Sequence, residues 1–149
     1  AELVQKVRRE FDGIAGETLV AIAWNMVGAD LDIHHFYRGD HSVSFHNPAH
    51  QGIRYLGDVL AGGGGKWEIL SYNSMPSADA QLYINLYSSN DMAAGPRQGV
   101  LLLRHRGRDI IEKTFVVANT RGDGGANVAA RATDPNWVKI DLTTELRTP

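Results

Sequence analysis

The sequence predicts a mainly β fold, an antiparallel β-sandwich of about eight or nine strands with one short N-terminal helix. Three observations carry this. Beyond residue 17 apolar residues recur at every second position in short runs, the period of a strand with one buried face. Gly, Asn, Asp and Pro punctuate those runs about every 8–15 residues, as turns do. No strand pattern alternates with a long helical one, so a parallel α/β sheet is disfavoured and an open barrel is the second architecture that fits.

Taken in order, residues 2–11 place Leu3, Val4, Val7 and Phe11 on one helical face and Lys6, Arg8 and Arg9 opposite. Asp12-Gly13 ends the helix, which is expected to pack across an end of the core. Residues 18–24 (TLVAIAW) read as a buried strand, and Asn25 to Gly28 as a turn. In residues 29–37, Leu31 and Ile33 take one face and Asp30, Asp32 and His34 the other. Short strands are expected at 42–46 and 53–56, and the four glycines Gly62 to Gly65 can hold only a loop. Residues 66–72 resume the pattern. In residues 80–88, Leu82, Ile84 and Leu86 face inward and Tyr83, Asn85 and Tyr87 outward. A loop with Asn90, Asp91, Gly95 and Pro96 precedes a hairpin of 98–105 and 109–118 around Arg106-Gly107-Arg108, with Ile111, Phe115 and Val117 inward. Residues 120–125 form a turn-rich loop. The last strand, about 136–142, points Val138, Ile140 and Leu142 inward and Trp137, Lys139 and Asp141 outward.

Composition bounds the function. The 149 residues suit one domain, residues 1–149, with the helix occupying 1–12. A net charge of −2 gives no basic stripe for nucleic acid. The run Arg104, His105, Arg106, Arg108 reads as a solvated strand end and turn, followed as it is by Asp109 and Glu112. The absence of cysteine excludes disulfides, thiolate catalysis and Cys-ligated zinc. No stretch approaches the length of a membrane span. The chain opens on Ala1 rather than Met, as a processed or trimmed product does.

The polar residues of 30–50 are the candidate site. Asp30 and Asp32 stand two apart on a strand, so both carboxylates leave the same face about 7 Å apart. Hard oxygens so spaced suit Ca²⁺, which takes carboxylate, amide and carbonyl oxygens. Asp40 and Asn47 in the following loop are the expected further ligands. The bland alternative is a solvated strand face. Five of the six histidines, His34, His35, His41, His46 and His50, crowd the same segment. Their spacing matches no helical zinc motif. Adjacent His34 and His35 must face opposite sides of a strand, so a transition-metal site would draw on Asp32, His34 and His46. Otherwise these are ordinary surface and loop histidines.

Other motifs carry less. Ser42, Ser44 and Ser71 lie in strands, but no G-x-S-x-G elbow supports a nucleophile. Gly62 to Gly65 lacks the G-K-S/T ending of a phosphate loop. Arg38-Gly39-Asp40 and Arg121-Gly122-Asp123 are turn tripeptides of a kind that recurs by chance. Trp24, Trp67, Tyr83 and Tyr87 offer either an aromatic platform or, more simply, core packing.

Trp24 to His34, W-N-x-x-G-x-D-L-D-I-H, resembles the W-N/D-x-x-x-x-D-L-D-L-H signature of the YfaP-like family of uncharacterised, mostly exported β-sandwich domains. More distantly it is similar to calcium-binding TerD-type domains. Phe45-His46-Asn47-Pro48 with Gly52 resembles the family's aromatic-x-N-P…G loop. Tyr83 to Ser89 resembles its Y-x-V-x-Y-x-G/S strand, and Val100 to Val117 its closing hairpin. The resemblance spans residues 18–118. It implies a periplasmic or secreted module and carries calcium ligation onto Asp30 and Asp32, with Asn47 third. Gly62 to Gly65 stands where such domains have an aspartate-rich stretch.

The expected function is therefore a non-catalytic exported binding or accessory module for a protein partner or small ligand, with Ca²⁺ at the Asp-x-Asp strand. The alternatives are a small metal-dependent hydrolase or isomerase using the Asp/His cluster at 30–50, and a structural subunit with no ligand.

Overall fold

The computed structural model describes residues 2–24, 29–60, 66–77, 80–89, 95–118 and 127–147. Helix α1 (Glu2–Asp12) leads into β1 (Thr18–Trp24), β2 (Ala29–Arg38), β3 (His41–Val43), β4 (Ala49–His50), β5 (Ile53–Leu60), β6 (Lys66–Tyr72), β7 (Gln81–Ser89), β8 (Arg97–His105), β9 (Ile111–Val117) and β10 (Trp137–Ile140), with α2 (Leu142–Arg147) closing the chain. The expected turns at Asn25 to Gly28, Gly62 to Gly65, Asn90-Asp91 and 120–125, including Arg121-Gly122-Asp123, lie outside the described residues.

Two antiparallel sheets result, in the order β4-β5-β6-β1-β8-β9 and β10-β7-β2-β3. This is the expected sandwich. Between them sit Val20, Ile22 and Trp24 of β1, Leu31 and Ile33 of β2, and Leu82, Ile84 and Leu86 of β7, with Leu70, Leu101, Leu103, Phe115 and Val117. The inward sets read from period 2 fill this core, including Ile140 and Leu142.

Strand β1 is buried along its whole length. Its second apolar face, Leu19, Ala21 and Ala23, needs its own cover, and Val4, Val7 and Phe11 of α1 supply it together with Trp67, Ile69 and Leu102. The helix therefore lies on the outer face of the six-stranded sheet, not across an end of the core.

Several boundaries move for identifiable reasons. The expected strand 42–46 stops at Val43, because Ser44 and Asn47 exchange backbone hydrogen bonds of 3.0 and 3.1 Å and turn the chain at Phe45-His46. Gln51 and Gly52 both have left-handed φ, 44° and 82°, and make the two-residue hairpin of β4 and β5. Arg106 and Gly107, at 57° and 75°, make the expected turn between β8 and β9. The last strand ends at Ile140, since Asp141 accepts from the Thr144 N–H (3.1 Å) and hydroxyl (2.8 Å) and so caps α2.

The outer face of the four-stranded sheet is also covered. Phe36, Tyr83 and Trp137 cluster there with Val128 packed on them. The Arg131 guanidinium lies 4.0 Å from the centroid of the Phe36 ring. Trp137 does face outward, yet it is only 5% exposed. Residues 128–136 fold back over this sheet by turns that carry no periodicity to read.

If α1 is an integral second layer, Phe11→Ala destabilises the fold by about 3–5 kcal/mol, the usual cost of emptying a buried aromatic site. Urea unfolding checks this. A change within about 0.5 kcal/mol would mean that the helix is a dispensable appendage.

Candidate functional site

The site is built on β2. Its core-facing residues Leu31 and Ile33 leave Asp30, Asp32, His34 and Phe36 on the outer face. Asp32 (6% exposed) and His34 (4%) are nonetheless buried, and Asp30 is half-buried. The β2–β7 register shifts between Asp30 and Leu31, which pair with Ser88 and Leu86. Tyr87 is thus the extra residue of a bulge, a device that re-aims a side chain.

Two cavities adjoin here and share Phe45 and Tyr87 as walls. The larger, about 390 Å³, is bounded by His34, by Ser42 and Ser44 from the β3 segment, and by Asp40, His46 and Asn47. Ser42 Oγ lies 3.0 Å from His34 Nδ1. Asn47 donates to the Tyr37 hydroxyl at 3.1 Å and to the Ser42 carbonyl at 3.4 Å. Arg131 holds Asp40 at 2.7 Å and the Gly39 carbonyl at 2.9 Å, so the Asp40 carboxylate is neutralised. Burial pushes the His34 imidazole down to a pKa of about 4, with the nearby His46 and Arg131 charges acting in the same direction.

The smaller cavity, about 230 Å³, is lined by Asp30, Asp32, Glu68 and Tyr55. Glu68 was not legible as a site residue, although period 2 on β6 puts it on the side of Leu70 and Tyr72, facing the core. It is 1% exposed. Its Oε1 accepts from the Ile33 backbone N–H and its Oε2 from the Tyr55 hydroxyl, both at 2.8 Å. Strand β3 pairs with β2 only from His35 onward. Glu68 thus serves a backbone group where no neighbouring strand does.

The structure divides the sequence candidates. Asp30 and Asp32 share one cavity, and Asp40 and Asn47 the other. His34 and His46 line the larger cavity, while Asp32 lines the smaller. The oxygen chemistry suits a hard cation, but among the described residues no group of three His, Asp or Glu side chains is placed to hold a metal ion.

His35 faces the other way, as the alternation requires. Its Nδ1 is 3.0 Å from the Tyr72 hydroxyl. Burial, then the nearby His50, lowers its pKa to about 4. It lines a separate cavity of about 360 Å³ with His50. The histidine cluster is therefore split across the sheet. His34 and His35, at 4% and 6% exposure, are not the surface histidines expected.

Nucleophilic chemistry lacks its third member. Ser42 and His34 are in contact, but Asp40 is bound to Arg131, and His34 Nε2 has no partner. That nitrogen belongs to a set. Both amide atoms of Asn85 and the Trp137 indole Nε1 are also buried without partners. Asn85 is in register with Trp137 on one side and Asp32 on the other, so these groups share the outer face. No family model, curated protein or solved structure matches the chain.

Both buried imidazoles bind a proton more weakly folded than unfolded, so their contribution to stability is full above pH 6.5 and is lost as the pH falls toward 4. A shift of this size corresponds to about 3 kcal/mol per histidine at most. Denaturant midpoints measured from pH 7 to 4 should fall steeply, and His34→Gln/His35→Gln should flatten that limb. An unchanged slope in the double variant would exclude these histidines as its cause.

Proposed function

We propose that this chain is a non-catalytic binding module whose ligand is a small neutral molecule rich in hydroxyl groups, with one apolar face, as sugars and polyols have. One observation carries the reading: the His34 nitrogen, the Asn85 amide and the Trp137 indole N–H are buried on one sheet face without partners. An unmatched buried polar group costs about 1–3 kcal/mol, and a ligand hydroxyl can both donate to it and accept from it. The cavity that His34 lines has the size of a small-molecule site. Ser42, Ser44, Asn47 and the neutral imidazole of His34 are uncharged hydrogen-bonding groups in its lining, and Asp40, the carboxylate there among the described residues, is paired with Arg131. Phe45 and Tyr87, 48% and 38% exposed, stand at its wall as rings on which an apolar sugar face can stack.

Ligand-observed NMR against a panel of neutral mono- and disaccharides tests this. At least one member should bind, and Phe45→Ala should weaken it roughly tenfold, about 1.4 kcal/mol. Binding by none, or binding indifferent to Phe45→Ala and Ser42→Ala, would reject the reading.

Calcium is a second reading, favoured by Asp30, Asp32 and Glu68 meeting around one cavity with the Tyr55 hydroxyl. The ion would have to draw those carboxylates together. Chelator-stripped protein should then melt higher in Ca²⁺, gaining about 2.7 kcal/mol at a hundredfold excess over Kd, and Asp30→Asn/Asp32→Asn should abolish the gain. No shift in Ca²⁺ removes this reading and leaves the neutral-ligand site standing.

A further inference from the structure

We infer that residues 128–136 form a strap, latched by Arg131, that opens as a unit and uncovers the unmatched polar groups of the four-stranded sheet. The segment is held together by its own turns. The Arg131 N–H donates to the Val128 carbonyl at 3.3 Å, those of Thr133 and Asp134 to the Ala130 carbonyl at 3.0 and 2.8 Å, and that of Asn136 to the Asp134 carboxylate at 2.9 Å. Bonds of this kind travel with the segment and survive its movement. Of residues 128–136 only Asn136 is buried, so lifting the strap exposes little apolar surface of its own. Its C-terminal end is the hinge. There the Leu86 N–H of β7 donates to the Asn136 carbonyl at 2.9 Å, and the Ala118 N–H to the Pro135 carbonyl at 3.3 Å.

Arg131 is the latch. One of its terminal nitrogens donates to the Asp40 carboxylate at 2.7 Å and to the Val128 carbonyl at 2.9 Å, and the other to the Gly39 carbonyl at 2.9 Å. The guanidinium also lies 4.0 Å from the Phe36 ring centroid and 5.8 Å from that of Tyr83. Asp40 is exposed, so the ion pair itself is a weak catch. Beneath the strap stands Trp137, with the rings of His34, Phe36 and Tyr83 at 5.1, 6.0 and 6.0 Å. Its indole N–H, His34 Nε2 and the Asn85 amide are buried without partners. Water would satisfy each of them, so closure carries a standing penalty that opening relieves. A weak catch working against such a penalty is the condition for opening without global unfolding. Val128 and Asp40 both line the cavity of about 390 Å³, and Arg131 binds both. Releasing that one side chain therefore frees two walls of the cavity together. What enters by this route rests on the neutral-ligand reading; the opening itself does not.

The test is native-state hydrogen exchange of the intact chain without ligand, in zero to low urea, read on the ¹⁵N-labelled Trp137 indole N–H and on the backbone amides of β7. The indole N–H should exchange ahead of the β7 amides, at a rate that low urea leaves flat, as a small local opening does. Asp40→Asn, a change at an exposed side chain, should speed that exchange roughly fivefold and leave the β7 amides unchanged. Arg131→Gln, which loses the ring contacts as well, should speed it roughly tenfold or more. Arg131→Lys keeps the charge but not the fork of donors, and should fall between wild type and Arg131→Gln. Indole exchange with the rate and urea dependence of the β7 amides would mean that the strap lifts only on global unfolding, and would overturn the inference. So would indole exchange unchanged in both Asp40→Asn and Arg131→Gln, or β7 amides accelerated as much as the indole. A saccharide panel without a binder would leave this opening in place, and a strap that stays shut would leave the existing cavity open to a ligand, so the two readings fail separately.

Discussion

Strand β2 is buried on both faces, and the polar side chains it carries must therefore find partners inside the protein. A buried polar group without a hydrogen bond costs far more than an exposed one, and a buried charge more still. Asp32, His34 and His35 are consecutive or nearly so on this strand and are all buried. Much of the rest of the small sheet can be understood as a response. Ser42 on the short edge strand β3 meets His34, Tyr72 of the opposite sheet meets His35, and Glu68 meets the strand's own backbone at Ile33.

The same logic separates the two sheets in character. On the six-stranded sheet the second buried face is mainly apolar, Leu19, Ala21 and Ala23 under Val4, Val7 and Phe11, and the buried Ser71 hydroxyl beside them donates to the Ala15 carbonyl at 2.6 Å. On the four-stranded sheet the second face holds aromatic rings and polar groups together. Phe36, Tyr83 and Trp137 pack edge to face, while His34 stacks on Phe36 at 5.6 Å. Arg131 closes this layer by covering Phe36 and gripping Asp40 and the Gly39 carbonyl. A face built this way is less complete than a hydrophobic one, and His34 Nε2, the Asn85 amide and the Trp137 indole N–H are left on it without partners.

Glu68 joins the layers. Its carboxylate reaches from the six-stranded sheet to the Ile33 N–H of the other and to the Tyr55 hydroxyl. Such a cross-sheet bond specifies how the sheets are set against each other, which apolar packing alone does loosely. It also brings a third carboxylate to Asp30 and Asp32, so the same residue that aligns the sheets shapes the acidic cavity.

The sequence by itself determined most of the strands, their inward sets, and the sides taken by Asp30, Asp32, His34 and His35, because the pleat makes side a matter of parity and needs no partner. It also held, unused, the fact that Glu68 shares a side with Leu70 and Tyr72. Only the tertiary structure decided what each side meets. That α1 would lie over β1 rather than at an end, that residues 128–136 would bury Trp137, and that Asp40 would join Arg131 instead of Asp30 and Asp32 all depend on how whole elements are laid against one another. Residues 128–136 are turns without a period, and the period of α1 tells which of its faces is apolar but not what that face meets. Parity tells which way a side chain points, and burial depends on what the rest of the chain lays over it.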